Sequence, residues 1–454
     1  PSYPRPMPTI YPFRAIQYHN GTGDVSALVA PPYDVLDAAG KARLLAGDKP
    51  NIVAIDLPHT PAKELGPPET YAAAAERFRQ WQQQGILSRR ETPAIFAYRQ
   101  TFTFNGKTHH RTGMACCIET LPFGPRAGGG VLPHEETFSG PKEDRFALMK
   151  ATRTQLSPIF GLHPDEKAQA KMVLAKVIDR GPADLTATMA DGVKHEVWTV
   201  SDQPTIDAYA DALRNEDVFI ADGHHRYTTA LNYLRALEGA GQLPPDHPAR
   251  RCMFVLIGFS DAGLVIGPTH RVLGGMKDYT FEKFQQAAGA LLDIKPGPAN
   301  LQQIETAMHA AANASRGRNV FGLYDFGSQK SYVATLKSDD PLRARFPNKP
   351  EAWRKLDVAL IQYSIVEEIA QPTLNAGQPV KWAFPHAIEE VLDIGRGAET
   401  GAGGGKGFAQ LAVIVRPTPL ESVRAVSKAN ELMPQKSTFF YPKLATGLFV
   451  NALE

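Results

Sequence analysis

The 454-residue sequence is short of three things. It has only three cysteines, two of them adjacent (Cys116, Cys117). Three cysteines so placed make neither a disulfide framework nor a CxxC zinc site, and they predict a reducing compartment. It has no run near the ~20 apolar residues that span a bilayer, so no membrane helix is expected. It has no surplus of one charge: 49 Lys+Arg stand against 47 Asp+Glu, a formal +2. A protein that coats nucleic acid carries a basic surplus, and this one does not. The opening Pro1-Ser-Tyr-Pro-Arg-Pro-Met-Pro8 lacks an apolar core, so no secretory leader is expected and residues 1–12 read as an irregular arm. These absences predict a cytoplasmic protein with neither a membrane nor a nucleic acid as partner. They leave the oligomeric state open.

What is present is ordinary globular material: 43% hydrophobic and 21% charged residues, enough to exclude wholesale disorder. At ~150 residues per domain the length predicts about three lobes. We place them at 1–165, 166–345 and 346–454. Proline is plentiful at 37 residues, which predicts many rigid turns.

The coarse pattern mixes helix and strand. Asn51 to Leu57 alternates like a strand. Residues 70–84 read as a helix, with Tyr71, Ala74, Ala75, Phe78 and Trp81 at helical spacing and Gly85 at the C-cap. Strands at 94–104 and 112–118 flank an Asn105-Gly106 turn. A helix begins at Ser139, and another covers about 166–179. Val218 to Ala221 is a short apolar strand, Asp222-Gly223 turns, and 224–238 is a helix. Strands at 252–259 and 264–266 follow, then helices at 280–292 and 351–370. Strands at 380–384 and 408–416 and a helix near 419–431 complete the pattern. The fold class is therefore α/β, with α+β the alternative: mixed sheets with flanking helices.

Five segments carry polar groups able to do chemistry. The first is Asp222-Gly-His-His-Arg-Tyr-Thr-Thr-Ala230, a strand end, a glycine turn and a helix start. Free N–H groups and the helix dipole favour an anion there. Gly223 lets a phosphate approach the backbone, and Arg226 offers a bidentate grip. His224 and His225 titrate near neutrality, and Asp222 is a candidate magnesium ligand or histidine orienter. The plainer reading is a capped helix with satisfied histidines.

The second is Leu132-Pro-His-Glu-Glu-Thr137 with Gly140-Pro-Lys-Glu-Asp-Arg145. His134 and Glu135 are a candidate acid/base pair, and Lys142 and Arg145 suit an anion. A loop and a solvated, well-capped helix is the alternative. Phe138 stands where HExxH needs histidine, which excludes that metalloprotease pattern. The third is Gly267-Pro-Thr-His-Arg271, with His270 and Arg271 at a strand end. The fourth is Ala30-Pro-Pro-Tyr-Asp34, whose prolines present Tyr33 and Asp34 to a ligand or merely build a turn. The fifth is Met433-Pro-Gln-Lys-Ser-Thr-Phe-Phe-Tyr-Pro-Lys443, in which Lys436 and Lys443 suit an oxyanion and the aromatics suit core docking. Thr400 to Gly407 is glycine-rich but has Thr400 and Gly407 where a Walker A loop needs Gly and Ser or Thr, so it reads as a mobile loop.

These five segments, in this order, resemble domain-of-unknown-function family 1015, and the resemblance runs over almost the whole chain. That family name carries no activity. The Asp222-to-Ala230 box also resembles the nucleotide-phosphate box of the ParB/sulfiredoxin superfamily, and most closely its free-serine kinase branch. That resemblance implies a ParB/sulfiredoxin-like nucleotide-binding core, with Gly223, His224, His225 and Arg226 on phosphate. A cysteine precedes the His-Arg of sulfiredoxin; His224 stands there here, which counts against sulfiredoxin chemistry.

The expectation is a small-molecule kinase that uses ATP or ADP with Mg²⁺ and phosphorylates the hydroxyl of serine or a serine-like metabolite. Asp222, Gly223, His224, His225 and Arg226 would bind the nucleotide, with Asp222 also on the metal through water. Glu135, or else Asp34, would take the proton. His134, His224 and His225 would assist, while Tyr33, Asp34, Lys142, Arg145, His270, Arg271, Lys436 and Lys443 would contact substrate. Two alternatives remain: a nucleotide-sensing or nucleic-acid-associated module without turnover, and a metal-dependent hydrolase using His134, His224, His225 and His270.

Overall fold

Apolar strands buried on both faces and helices with one apolar side build the chain into two units. The computed structural model describes residues 8–47, 49–61, 64–136, 139–315, 317–397 and 407–454. The start of the N-terminal arm, Thr137 and Phe138 of the second motif and all but the last residue of the glycine-rich loop lie outside the described residues. One unit comprises Pro1–Pro133, Thr137–Val265 and Pro442–Glu454; the other comprises His134–Glu136 and Ile266–Tyr441.

The three lobes expected from length are thus two units. Strand pairing is the reason: the first unit's sheet takes Ile159–His163 and Leu185–Thr188 from either side of residue 165. Likewise the second unit's core joins Leu336 to Trp353 across residue 345.

The first unit is a nine-stranded mixed sheet. Its order is Gly23–Asp24, Leu185–Thr188, Lys194–Val200, Ile95–Phe104, Lys107–Glu119, Arg251–Gly258, Ile159–His163, Val218–Asp222, Val131–Leu132. The central hairpin is the one its sequence announces. Asn105 (φ 49°) and Gly106 (φ 73°) make the tight turn, and Phe104 faces Lys107. Positive φ at both turn positions suits Asn-Gly. Ala170, Leu174 and Val177 of helix Gln169–Ile178 and Tyr227, Ala230 and Leu231 of helix His224–Ala240 pack in one core with Ile95, Met114 and Phe254. Tyr11 and Phe13 bridge to Cys117 and Ala94, so the described end of the expected arm is pinned to the sheet.

Asn51 to Leu57 is not a strand. Val53–Asp56 is a single helical turn, because Asn51 Oδ1 accepts from the Val53 N–H at 3.0 Å and starts it. Ile52, Val53 and Ile55 are all buried, and a short run buried on every side has no readable period.

The second unit holds a six-stranded antiparallel sheet in the order Leu292–Pro296, Lys330–Leu336, Val320–Asp325, Ala409–Ile414, Arg271–Gly274, Lys381–Ala383. Phe281–Ala288 and Leu420–Lys428 flank it. The helix expected over 351–370 is broken: Glu351–Arg354 stops, Asp357–Ala359 restarts, and Leu360–Ala370 winds as a π-helix. The chain is a mixed α/β protein. Among the described residues no helix is long and apolar enough to cross a membrane.

Candidate functional site

In the first unit the strand Val218–Asp222 lies antiparallel to Ile159–His163 and parallel to Val131–Leu132. Its register slips between Ile220 and Asp222. At its end Gly223 takes φ 97°, a left-handed conformation that only glycine adopts at low cost. A Cβ there would sit 3.1 Å from the Arg226 guanidinium carbon. Helix His224–Ala240 begins at once, with the Tyr227 N–H donating to the Gly223 carbonyl at 2.9 Å. The Tyr227 hydroxyl donates to the Leu121 carbonyl at 2.7 Å and accepts from the Leu121 N–H at 2.9 Å, which anchors the first turn.

Helical spacing then brings Arg226, four residues on, back to Asp222. Its Nη2 meets Asp222 Oδ2 at 2.5 Å, and its Nη1 donates to the Pro158 carbonyl. The other carboxylate oxygen, Oδ1, is held by Lys443 Nζ. Burial acts to raise the Asp222 carboxyl, but Lys443 and Arg226 outweigh it and hold the group well below the usual carboxylate range. Asp222 is therefore a clamp between two cations at a helix start. His224 is buried and His225 half-buried beside it.

The clamp bears on how a metal could approach. With a cation on each oxygen, Asp222 does not fit a direct metal ligand. Among the described residues no group of three or more His, Cys, Asp or Glu could hold a metal ion. His224 and His225 belong to one unit and His134 and His270 to the other.

The first unit holds four more of the expected residues, Tyr33, Asp34, Lys142 and Arg145. The Tyr33 ring lies over the Arg145 guanidinium at 4.1 Å. Arg145 donates from Nη1 to the Asp56 carbonyl at 2.5 Å and from Nε to Asp144 Oδ2 at 2.7 Å. Its Nη2 stands 2.6 Å from Asp144 Oδ2 in a geometry too bent for a hydrogen bond. Asp144 Oδ1 contacts His59 Nε2 at 2.8 Å and accepts from the Tyr71 hydroxyl at 2.7 Å. Arg145, expected to grip a substrate carboxylate, is thus committed to the protein's own acids. Asp34 is half-buried, with Oδ1 enclosed and unpartnered. Lys142 is half-buried and makes no ion pair among the described residues.

Asp56 and His59 carry no signal in the sequence, Tyr71 reads only as a position on a helix's apolar stripe, and Thr229 is a position without a role in the Asp222-to-Ala230 box. Asp144 sat inside a quoted motif without a role. Asp56 was hidden in a segment read as a strand.

The second unit holds its own set. Glu135 Oε1 and Oε2 accept from the Lys436 N–H at 2.7 Å and the Ser437 N–H at 3.2 Å, fixing a turn in which Lys436 takes φ 58°. His134 Nε2 lies 2.8 Å from Thr438 Oγ1. Arg271, 2% exposed, donates to the carbonyls of Thr269 at 2.5 Å and Lys436 at 2.9 Å. It stacks on Phe384 at 5.0 Å. Burial pulls its pKa down to about 10. His270 Nδ1 accepts from the Val415 N–H at 3.2 Å while Nε2 is buried without a partner. Burial, with His386 and Arg271 nearby, pulls this imidazole down to about 3.

The model of the family described as protein of unknown function, DUF1015, matches residues 10–359. No curated protein matches the sequence. Among solved structures, a free serine kinase variant in complex with AMP is similar at 14% identity and a TM-score of 0.33, over 70% of this chain and 89% of that one. A conserved hypothetical protein from Pyrococcus furiosus is similar at 14% identity and a TM-score of 0.31, over 70% of this chain and 92% of that one. SbnI with C-terminal truncation, from Staphylococcus aureus, is similar at 11% identity and a TM-score of 0.30, over 71% of this chain and 84% of that one.

Proposed function

The chain belongs to the DUF1015 family, whose description assigns no activity. From the geometry of its own strand-turn-helix we propose that it binds the phosphates of ATP or ADP at the start of helix His224–Ala240 and phosphorylates a small hydroxylated metabolite. One observation carries the reading: Asp222 pins two cations, Arg226 and Lys443, beside a helix N-terminus that opens on a left-handed glycine. At the turn itself two cations stand on one carboxylate, with Asp34 and Asp56 acting on Arg226 from beyond ion-pair distance. The helix dipole adds roughly half a positive charge. Such a turn is suited to phosphate oxygens.

Phosphoryl transfer asks mainly for positioning and charge neutralisation. Arg226 and the helix N–H groups would hold the transferred phosphate, with His224 or His225 stabilising its charge. The acceptor hydroxyl would lose its proton to Asp34, which shares the first unit with the turn; Glu135, the other expected base, belongs to the second unit, with both carboxylate oxygens on the Lys436 and Ser437 N–H groups. The acceptor oxygen would bond phosphorus as the P–O bond to the departing nucleotide breaks. Asp34→Asn, assayed for turnover, tests this base: unchanged turnover removes Asp34 from the role. Mg²⁺ has no direct ligand at Asp222, and no step is assigned to it.

The test is a thermal-shift panel of ATP, ADP, CTP, GTP and pyrophosphate, with and without Mg²⁺, on the wild type and Arg226→Ala. A ligand at 100 times its dissociation constant adds ~2.7 kcal/mol. A shift that the folded variant loses supports the site, and phosphorus NMR with a pool of hydroxylated metabolites then reads transfer. Unchanged nucleotide affinity in Arg226→Ala defeats the assignment. Binding without product favours a nucleotide-sensing module.

A further inference from the structure

The first unit holds a cavity whose lining includes Asp56, Arg145, Gln155, Ser157, Arg226 and Thr229. It offers about 40 Å³ to the centres of water molecules, room for roughly three waters or one acid of two or three carbons. That is far too little for a nucleotide. Leu148, Leu156 and Ile159 add apolar wall.

Most of the polar lining already has partners. Gln155 Oε1 accepts from the Met253 N–H at 2.8 Å. Ser157 Oγ lies 2.7 Å from Thr446 Oγ1. Arg226 gives Nη1 to the Pro158 carbonyl and Nη2 to Asp222. Two atoms are left over. Thr229, 0% exposed, has a buried Oγ1 without a hydrogen-bond partner. Arg145, 6% exposed, has a buried Nη2 without one. That nitrogen carries two hydrogens. Its bent contact with Asp144 Oδ2, which Nε also bonds, engages at most the hydrogen on the Nε side. A buried donor without an acceptor is costly, the more so when it is charged.

A guanidinium has no lone pair to offer, so the ligand must bring an acceptor to Nη2. The lining carries two guanidiniums against one carboxylate; Asp144 and Asp222, which pair with those guanidiniums, do not line the cavity. A carboxylate has two oxygens for the two idle donors, and its hydrogen bond to a guanidinium is charge-assisted. Asp56 does not bar it. Burial, against the pull of Arg145 and Arg226, pushes the Asp56 carboxyl up, and beside an incoming anion it takes a proton and becomes a donor. Inorganic phosphate would bring a second charge and leave the apolar wall unused.

We propose that this cavity binds the carboxylate of a two- or three-carbon acid, one oxygen on Arg145 Nη2 and the other on Thr229 Oγ1. The site does not depend on the phosphate reading. A hydroxy acid held here would be an acceptor of the class named above, and that role alone rests on that reading.

Ligand-observed NMR titration of the full chain with acetate, and with acetamide as its uncharged isostere, tests the site; thermal shift with pyrophosphate is read on the same samples. Acetate should bind, and acetamide at least about tenfold more weakly. Thr229→Val should weaken acetate about fivefold. Arg145→Lys, which keeps the charge beside Asp144 but has no second nitrogen, should weaken it at least about tenfold. These are the usual sizes for a neutral and a charged hydrogen bond. Thr229→Val exchanges a hydroxyl for a methyl and should keep the pyrophosphate shift. If Arg145→Lys does not fold, Thr229→Val carries the test. Acetamide binding as tightly as acetate, no acetate binding, or acetate binding unchanged in Thr229→Val overturns the site. Acetate binding without a pyrophosphate shift overturns the phosphate turn and leaves this site standing; a pyrophosphate shift without acetate binding does the reverse.

Discussion

Asp222→Asn separates the clamp from ordinary helix capping. The substitution keeps the side chain's shape and one oxygen but removes the charge that both Arg226 and Lys443 face. The side chain is only 15% exposed, so solvent does little to replace the lost ion pair. Breaking a buried pair from one side costs roughly 3–5 kcal/mol. Arg226 keeps the Pro158 carbonyl, which argues for the lower end, about 3 kcal/mol. Urea unfolding at pH 7 reads this directly.

The same clamp gives a pH signature. The folded-state pKa of Asp222 is depressed. Its contribution is therefore complete above the unfolded value of ~3.9 and declines as pH falls through and below that value. Between pH 6 and pH 3 the gap between wild type and variant should narrow by about 1 kcal/mol. The variant also leaves two cations without a counter-ion at a helix start, so pyrophosphate should stabilise it more than it stabilises the wild type. A variant that unfolds at the wild-type urea midpoint, or a gap constant from pH 6 to pH 3, would refute the clamp.

Two further changes follow from the geometry. Gly223→Ala places a Cβ on a left-handed residue (φ 97°) and 3.1 Å from Arg226; it should cost about 1–2 kcal/mol and weaken pyrophosphate binding. An unchanged melting temperature would contradict it. His195 and His270, one in each unit, are both held neutral by burial, with pKa values pulled down to about 3. The stability each contributes is complete above the unfolded histidine value of ~6.5 and falls as pH drops toward the folded one. At pH 5 each should have lost about 2 kcal/mol. His270→Asn, in which Asn Oδ1 replaces the ring nitrogen that accepts from the Val415 N–H, should flatten the pH 7.5-to-5 dependence of the unfolding midpoint, and an unaltered slope speaks against the assignment.

The parts of the fold that could be read from the sequence are those in which one local signal decides the structure. The Asn105-Gly106 hairpin is fixed by two residues that tolerate positive φ. The helix Pro68–Gln83 shows an uninterrupted apolar stripe and a proline at its start. The strand-turn-helix at Val218–Ala240 needs only an apolar run, a glycine and a helix former. Where tertiary contacts decide, the reading failed. Val53–Asp56 is apolar on every side, so its period was mute. The 351–374 stretch carries enough buried aliphatics to look continuous, yet it changes winding three times. Strands Leu185–Thr188 and Lys194–Val200 lie in a stretch where no helix or strand signal stood out.

The site divides along the same line. Charged residues in short motifs mark where polar chemistry sits, but the motif does not say which charges are already answered. Arg145 and Arg226 look alike in sequence, each an arginine near the start of a helix. Arg145 is held by Asp144 and by the backbone of Asp56, contributed by a segment some ninety residues earlier. Arg226 shares its carboxylate with Lys443, which arrives from more than two hundred residues later. The difference between a structural arginine and one with electrostatic reach left over is therefore a long-range count of partners. That count is also what leaves the Thr229 hydroxyl and the Arg145 Nη2 without a hydrogen-bond partner, although both residues stand in motifs visible in the sequence. A buried hydroxyl left unpaired beside a cavity is visible only once every neighbour's hydrogen bonds have been assigned.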